Sequence, residues 1–378
     1  MASYDGTNAP TIAVQFYKSS TWTSVTAADV LTINTRRGRS NVFQRDATGI
    51  ATIQFNNTSG YYDPDYTGSG SPWVVTGVSI LRAGLAMRIV ATWSSTDYVI
   101  YSGYIDTTTV NQGATPLVTM QFVDGIAKIA YGYAPDLSTA AYSETAATRV
   151  GRMLDYAGWS ATARSLTGST SLLTTLQGAS CMTMINQCVD SIAGRFYVSR
   201  TGDATLVPLT DKFSRPTQML FSDAGAAYSI KYDQIFTNPG TSYVVNKAIV
   251  TRGVTSNLQY TSTYNSSVTS YGLKSIEIDA PVSTDANASN LSLYAARKDA
   301  TPTTFVEKIN FSAIGLSTLY PDFLATELGD QVSVKRVTYD GRSIQWDLVV
   351  EGMNHTITKN NWLVSLSTSP INPYSITI

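Results

Sequence analysis

The sequence predicts a mainly β protein with two similar β-barrel domains and a small α+β domain inserted or intervening between them. Three observations predict it: period-two alternation over most of the chain, a change to helical spacing near residues 143–194, and two regions that repeat the same order of features.

The alternating runs, rich in β-branched and aromatic residues and separated by turn clusters, fall first at residues 11–16, 30–35, 51–56, 87–93, 98–105 and 117–122. Later runs fall at 195–199, 205–208, 244–252, 307–311, 331–336, 346–350 and 362–367. Between the two groups, Val150, Met153, Leu154 and Ala157 recur at helical spacing, with Gly158 placed to end the helix. A second helix follows: Ser180 caps it, Cys181, Met184, Ile185, Cys188, Val189 and Ile192 line one face, and Gly194 stops it. A third spans about 286–298, after the capping candidates Ser283 and Asp285. The chain of 378 residues has room for two or three domains. The first barrel is placed at 1–138, possibly completed by 205–240, the α+β domain at 139–210, and the second barrel at 241–378 with a peripheral helix near 286–298. Residues 236–242, with Asn238, Pro239 and Gly240, carry the turn chemistry of an interdomain linker.

The repeat is one of order and spacing. TIQFNNTSGYYDPDY, Gly84, a strand, YSGYID and LVTMQFVDG in the first region answer to KINFSAIGLSTLYPDF, Gly329, a strand, VEGMNH and WLVSLSTS in the second. Gly84 to Gly103 is nineteen residues and Gly329 to Gly352 twenty-three, a difference read as a hairpin-sized insertion. Three chains with two such barrels each can close a ring of six quasi-equivalent units.

Composition narrows the function. Only 14% of residues are charged, against roughly 25% in typical soluble domains. Twenty-three tyrosines suit protein interfaces, and also solvent-facing strand positions. A net charge of −1 and a pI near 5.9 give no electrostatic footprint for holding nucleic acid. The one basic cluster, Arg36, Arg37 and Arg39, reads first as a solvated strand end or an ion-pair cluster and second as a phosphate or partner contact. Cys181 and Cys188, two helical turns apart, are too distant for a disulfide and read as buried hydrophobes. No apolar run is long enough to span a membrane and the N-terminus lacks signal-peptide regions, so synthesis in the cytoplasm is expected.

Catalytic signatures are sparse. His355 is the single histidine, read as a surface or interface residue, so metal sites and Ser-His-Asp relays have little to build on. Asp63 and Asp65 flank Pro64; glycosidase acid–base work or calcium binding is conceivable there, but a turn in which Asp63 accepts backbone hydrogens fits the residues better. Neither an enzyme nor a cofactor is expected.

TRRGRSNVFQRDATGIATIQFNNTSGYYDPDY resembles the N-terminal signature of siphophage minor tail proteins, related to baseplate tail hubs. The matching elements are Arg37-Gly38-Arg39, Arg45-Asp46, the strand through Asn57, Gly60 to Pro64 with Asp63, and the strand around Gly103. VVNKAIVTR, SYGLKSIEID, LGDQVSV with Gly329 and Asp330, and LVVEGMNHTI with Gly352 extend the resemblance over most of the chain. It implies a virion protein at the tail tip: a homotrimer forming a pseudo-sixfold ring. Its implied partners are a distal tail or tail-tube ring, a tape-measure protein and a tip spike or fibre, with DNA passing through in transit. Arg37, Gly38, Arg39, Asp63, Pro64, Gly103, Gly329, Asp330 and Gly352 are then candidate assembly contacts. The rivals are a carbohydrate-binding fibre or adhesin module, and a cell-wall enzyme acting through Asp63, Asp65, Asp106 or Glu351.

Overall fold

The computed structural model describes residues 9–41, 44–135, 144–174, 178–225, 227–238, 243–253 and 258–371. The mainly β prediction holds, and every predicted strand forms. A hairpin of β1 (Thr11–Lys18) and β2 (Thr21–Ser24) leads to β3 (Val30–Gly38) and β4 (Ala47–Asn56). After a long connection come β5 (Ala86–Trp93), β6 (Thr96–Asn111) and β7 (Leu117–Val123). Alternation does what it predicts: β4 turns Ala51, Ile53 and Phe55 inward, and β7 turns Val118, Met120 and Phe122 inward. Ser94 and Ser95, both at positive φ, form the tight turn between β5 and β6.

The helical interruption is a compact α+β unit. It starts earlier than residue 139, with helix α1 (Gly125–Ala130), which the sequence reading missed. Asp124 caps α1 by accepting from the Ile126 N–H at 2.9 Å; burial pushes its carboxyl up to about 7 against the Gly49 and Ile126 N–H donors that favour its charge. Next come α2 (Ala146–Tyr156), β8 (Arg164–Leu166), α3 (Cys181–Ser191), β9 (Arg195–Val198) and β10 (Ala204–Val207). Ser180 caps α3 as expected, accepting from Thr183 at 3.1 Å. Gly158, at φ +67, follows α2, but after α3 the left-handed residue is Ala193. Gly194 is there for space: a Cβ on it would lie 2.2 Å from the Val207 carbonyl. Both cysteines face the core of this unit as free thiols, and burial pushes Cys188 up to about 12.

The remainder runs β11 (Thr217–Ser222), β12 (Gln234–Asn238), β13 (Lys247–Arg252), β14 (Leu258–Thr263), β15 (Ser275–Asp279), helix α4 (Asp285–Arg297), β16 (Phe305–Ser312) and helix α5 (Tyr320–Ala325). Three strands close the chain: β17 (Gln331–Val337), β18 (Ser343–Thr358) and β19 (Asn361–Pro370). Helix α4 is capped by Thr284 rather than Ser283 or Asp285.

Among the described residues, thirteen strands form one sheet, in the order β12-β16-β19-β18-β3-β4-β7-β6-β5-β1-β2, with β11 paired to β17 and β17 to β18. This corrects three assignments. The linker reading of 236–242 fails at its start, because Phe236, Thr237 and Asn238 lie in β12 paired with β16; residues 239–242 lie outside the described residues. Turn chemistry at Asn238-Pro239 masked a short, mostly exposed edge strand. Nor do residues 205–240 complete the first strand series: β10 pairs in the α+β unit, and β11 and β12 pair with β17 and β16. The run at 244–252 is in neither series. It yields β13, at the centre of a separate three-stranded sheet with β14 and β15, on which α4 packs through Ala288, Leu291, Ala295 and Ala296.

Candidate assembly site

β18 is the strand on which the chain turns from one series to the other. Along one edge its first half pairs with β17, Gln331 opposite Val349 through Val337 opposite Ser343. Along the same edge its second half pairs with β3, Gly352 opposite Gly38 through Thr358 opposite Thr32. A bulge at Glu351 separates the halves and re-aims the strand. The backbones approach so closely here that both facing positions must be glycine: a Cβ on Gly38, at φ +82, would lie 2.3 Å from the Glu351 carbonyl, and one on Gly352 2.5 Å from that of Arg39.

Around this contact sits a buried ionic clasp. Arg37 pairs with Glu327 at 2.6 Å and donates to the Val198 carbonyl, and Arg39 pairs with Glu351 at 2.7 Å. Arg195, at the start of β9, donates to both oxygens of Asp46 at 2.7 and 2.6 Å, and to the Val350 and Glu351 carbonyls at 3.0 and 2.6 Å. Burial opposes ionisation of Glu351, but the Arg39 and Arg195 guanidiniums and the Ser369 hydroxyl overcome it and hold its carboxyl at about 2. Arg215 joins Asp330, at the start of β17, to Asp211. The clasp therefore fastens β3, the α+β unit and the β17–β18 region together. Of the two first readings of Arg36, Arg37 and Arg39, the ion-pair cluster describes Arg37 and Arg39; Arg36 is exposed.

The two strand series repeat one pairing scheme. Gly84, at φ +89, donates to Ile105, whose N–H donates to Leu85, at 2.8 and 2.9 Å; Gly329, at φ +90, donates to Val350, whose N–H donates to Asp330, at 2.8 and 2.9 Å. Met87 opposite Gly103 answers to Val332 opposite Leu348, and the bulge between Ile105 and Thr107 to that between Val350 and Gly352. Gly84 to Ile105 and Gly329 to Val350 thus span the same twenty-one residues, with no insertion. Pairing Gly103 with Gly352 was wrong because each is glycine for its own reason. A Cβ at Gly103 would meet the Val123 carbonyl at 2.6 Å and the Tyr101 ring, and Gly352 accommodates β3. Inside, Phe16 against Phe55 is answered by Phe221 against Phe311. The series differ at their outer strand, where β1 runs antiparallel to β5 and β11 parallel to β17.

Of the nine residues singled out from the sequence, six gather at this junction: Arg37, Gly38, Arg39, Gly329, Asp330 and Gly352. Gly103 is buried in β6, and Asp63 and Pro64 are half-exposed in a turn where Asp63 accepts from Asp65 at 2.9 Å. Of the carboxylates considered for catalysis, Glu351 is buried in the clasp and Asp65 and Asp106 are exposed. His355 overturns its surface reading. It lies buried between Phe323 and Trp362, accepts from the Trp362 indole at 3.2 Å, and burial drives its pKa down to about 3, helped by the Arg37 charge. Its place on the inward face of β18 puts it there. Sequence reasoning passed over Arg195 and Glu327; the one available signal was an arginine opening a strand, RFYV, that is otherwise apolar and fully buried.

A cleft of about 350 Å³ opens beside the clasp between α3 and α4, lined among others by Arg45, Asp190, Lys212, Tyr294 and Lys298. Burial, with the neighbouring Lys298 charge, draws the Lys212 pKa down to about 8. Among the described residues no helix is long and apolar enough to cross a membrane.

This architecture is that of known tail proteins. The chain is similar to a tail protein from Neisseria meningitidis (TM-score 0.63, 10% identity, 94% of this chain and 96% of that one). It is similar to the 43 kDa tail protein of prophage MuSo2 from Shewanella oneidensis (TM-score 0.58, 8% identity, 95% and 98%). It also resembles a chain of the Francisella PdpA–VgrG complex (TM-score 0.50, 9% identity, 97% and 53%). At these identities the likeness is one of fold. No family model and no curated protein matches the chain.

Proposed function

We propose that the chain is a structural, non-enzymatic component of a phage-type tail tip. Its two strand series act as two barrel domains, and three copies form a ring of six quasi-equivalent units. The observation that carries this reading is the repeated pairing scheme, with its matched hydrogen bonds at Gly84–Ile105 and Gly329–Val350. Two like units in one chain convert threefold into pseudo-sixfold symmetry. Such a ring docks a hexameric distal tail or tail-tube protein on one side and a threefold spike or fibre on the other, with the tape-measure protein and then DNA leaving through its centre. A net charge of −1 suits a wall past which a polyanion slides without being held. The fold shared with tail proteins supports the same reading. The test is the mass of the purified chain in solution and the symmetry of particles by cryo-electron microscopy. Three copies around an axial channel are expected; a chain that stays monomeric and is missing from purified virions refutes the ring.

A further inference from the structure

Among the described residues, the chain contains one junction between its two strand series and two strand edges that correspond to the halves of a second. At that junction, the second half of β18 takes β3 as a neighbour. The counterpart of that half is the second half of β6, since Val110 opposite Val118 answers to His355 opposite Val364 across matched bulges. Residues 107–111 have β7 along one edge and, among the described residues, no strand along the other. The counterpart of β3 is β12, since Ile33 lies opposite Ile53 of β4 and Ile235 opposite Ile309 of β16. The edge of β12 away from β16 likewise has no strand among the described residues.

Neither edge carries the usual protections in its own side chains. TTTVN and QIFTN carry no lysine, no proline and no charge, and Phe236 is 37% exposed. Within the chain they belong to different series, so neither completes the other there. Between copies, the contact is head-to-tail and closes a ring when the rotation per chain is a third of a turn.

We propose that residues 109–111 of one copy take residues 236–238 of β12 of the next copy as an antiparallel neighbour, in the register of the internal junction. Thr356 opposite Asn34 and His355 opposite Thr35 then translate into Asn111 opposite Phe236 and Val110 opposite Thr237. This rests on the ring reading and names the contact that closes it. The partner surface is a second copy of this chain, joined by backbone hydrogen bonds, with Phe236 of the next copy covered against β6 of the first.

Cysteine pairs test both the contact and its register, because Cys181 and Cys188 are buried. The full-length double variant Val110→Cys, Thr237→Cys is oxidised and run without reductant, alongside each single variant and the shifted pair Val110→Cys, Ile235→Cys. The proposal expects a covalent species of three chains from the first pair. The shifted pair should give at most about a tenth as much, because diagonal neighbours lie about 7–8 Å apart, beyond disulfide reach. A trimer by mass in which the first pair does not cross-link overturns the contact and leaves the ring. A ladder of linked species without a limit at three keeps the contact and overturns the closed ring. A chain monomeric at every concentration overturns both.

Discussion

Replacing Arg195 by methionine removes the cation that ties Asp46 to the β18 bulge while keeping the volume of the side chain's apolar stem. The guanidinium is 7% exposed and its Asp46 partner 2% exposed, so no water is available to take over the four hydrogen bonds it donates. Removing one partner of such a buried pair costs about 3–5 kcal/mol, because the remaining charge has already lost its hydration. The expected result in urea unfolding is a lower midpoint, with about 3–5 kcal/mol less stability and an unchanged slope. The cost should come from the orphaned carboxylate rather than from lost packing. Adding Asp46→Leu to Arg195→Met should therefore restore much of the stability, since apolar replacement of both members of a buried pair is often neutral. A single variant within about 0.5 kcal/mol of the parent, the range of ordinary surface substitutions, would refute the clasp as described. So would a double variant no more stable than the single one.

Two further predictions address the same junction. Glu351 has its pKa depressed from 4.5 to about 2 in the folded chain, so its contribution is complete above the unfolded value and is lost as pH falls from 4.5 towards 2. That contribution is about 3 kcal/mol at neutral pH; urea midpoints measured across this window should fall in the parent and fall less in Glu351→Gln. Gly38→Ala and Gly84→Ala both force alanine into positive φ, but only at Gly38 does the new Cβ meet a backbone carbonyl, at 2.3 Å, whereas Gly84 faces open space. Gly84→Ala should cost about 1 kcal/mol and Gly38→Ala clearly more, by chemical denaturation; equal costs would mean that the β3–β18 approach is looser than drawn.

What the sequence made legible follows from what alternation encodes. A strand buried on one face must place apolar residues at every second position, which is why β4, β7 and β19 could be read directly. β12 could not, because an edge strand with three of five residues exposed carries little of that pattern. The short β11 carries the pattern at only two positions, Met219 and Phe221, too few to stand out as alternation. At the candidate site, Arg37, Gly38, Arg39, Gly329, Asp330 and Gly352 were found as motif residues, yet what joins them is long-range pairing that local spacing does not encode. Arg37 meets Glu327 and Arg195 meets Asp46 across well over a hundred residues of sequence. The glycine correspondence fails for the same reason, since a residue's identity records who approaches it, and β3 lies against Gly352 of β18 but not against Gly103 of β6.

That asymmetry bears on how the proposed ring would close. The internal junction holds buried charge in Arg37, Arg39, Arg195, Asp46, Glu327 and Glu351, whereas the edges proposed to meet between copies carry none. Burying ion pairs requires stripping water from both members, and within one chain that desolvation is part of a single folding step in which the partners are already tethered. Between copies the same desolvation would add to the translational and rotational cost of association. A contact made of backbone hydrogen bonds, threonines and one exposed phenylalanine avoids it. On this reasoning, introducing Thr109→Glu on β6 should weaken assembly while sparing the monomer's stability, because the position is exposed in the single chain and the carboxylate would lose water only on contact with the next copy. Analytical ultracentrifugation, paired with a urea titration of the same sample, separates the two quantities. A variant that assembles as the parent does would place the contact elsewhere on the chain.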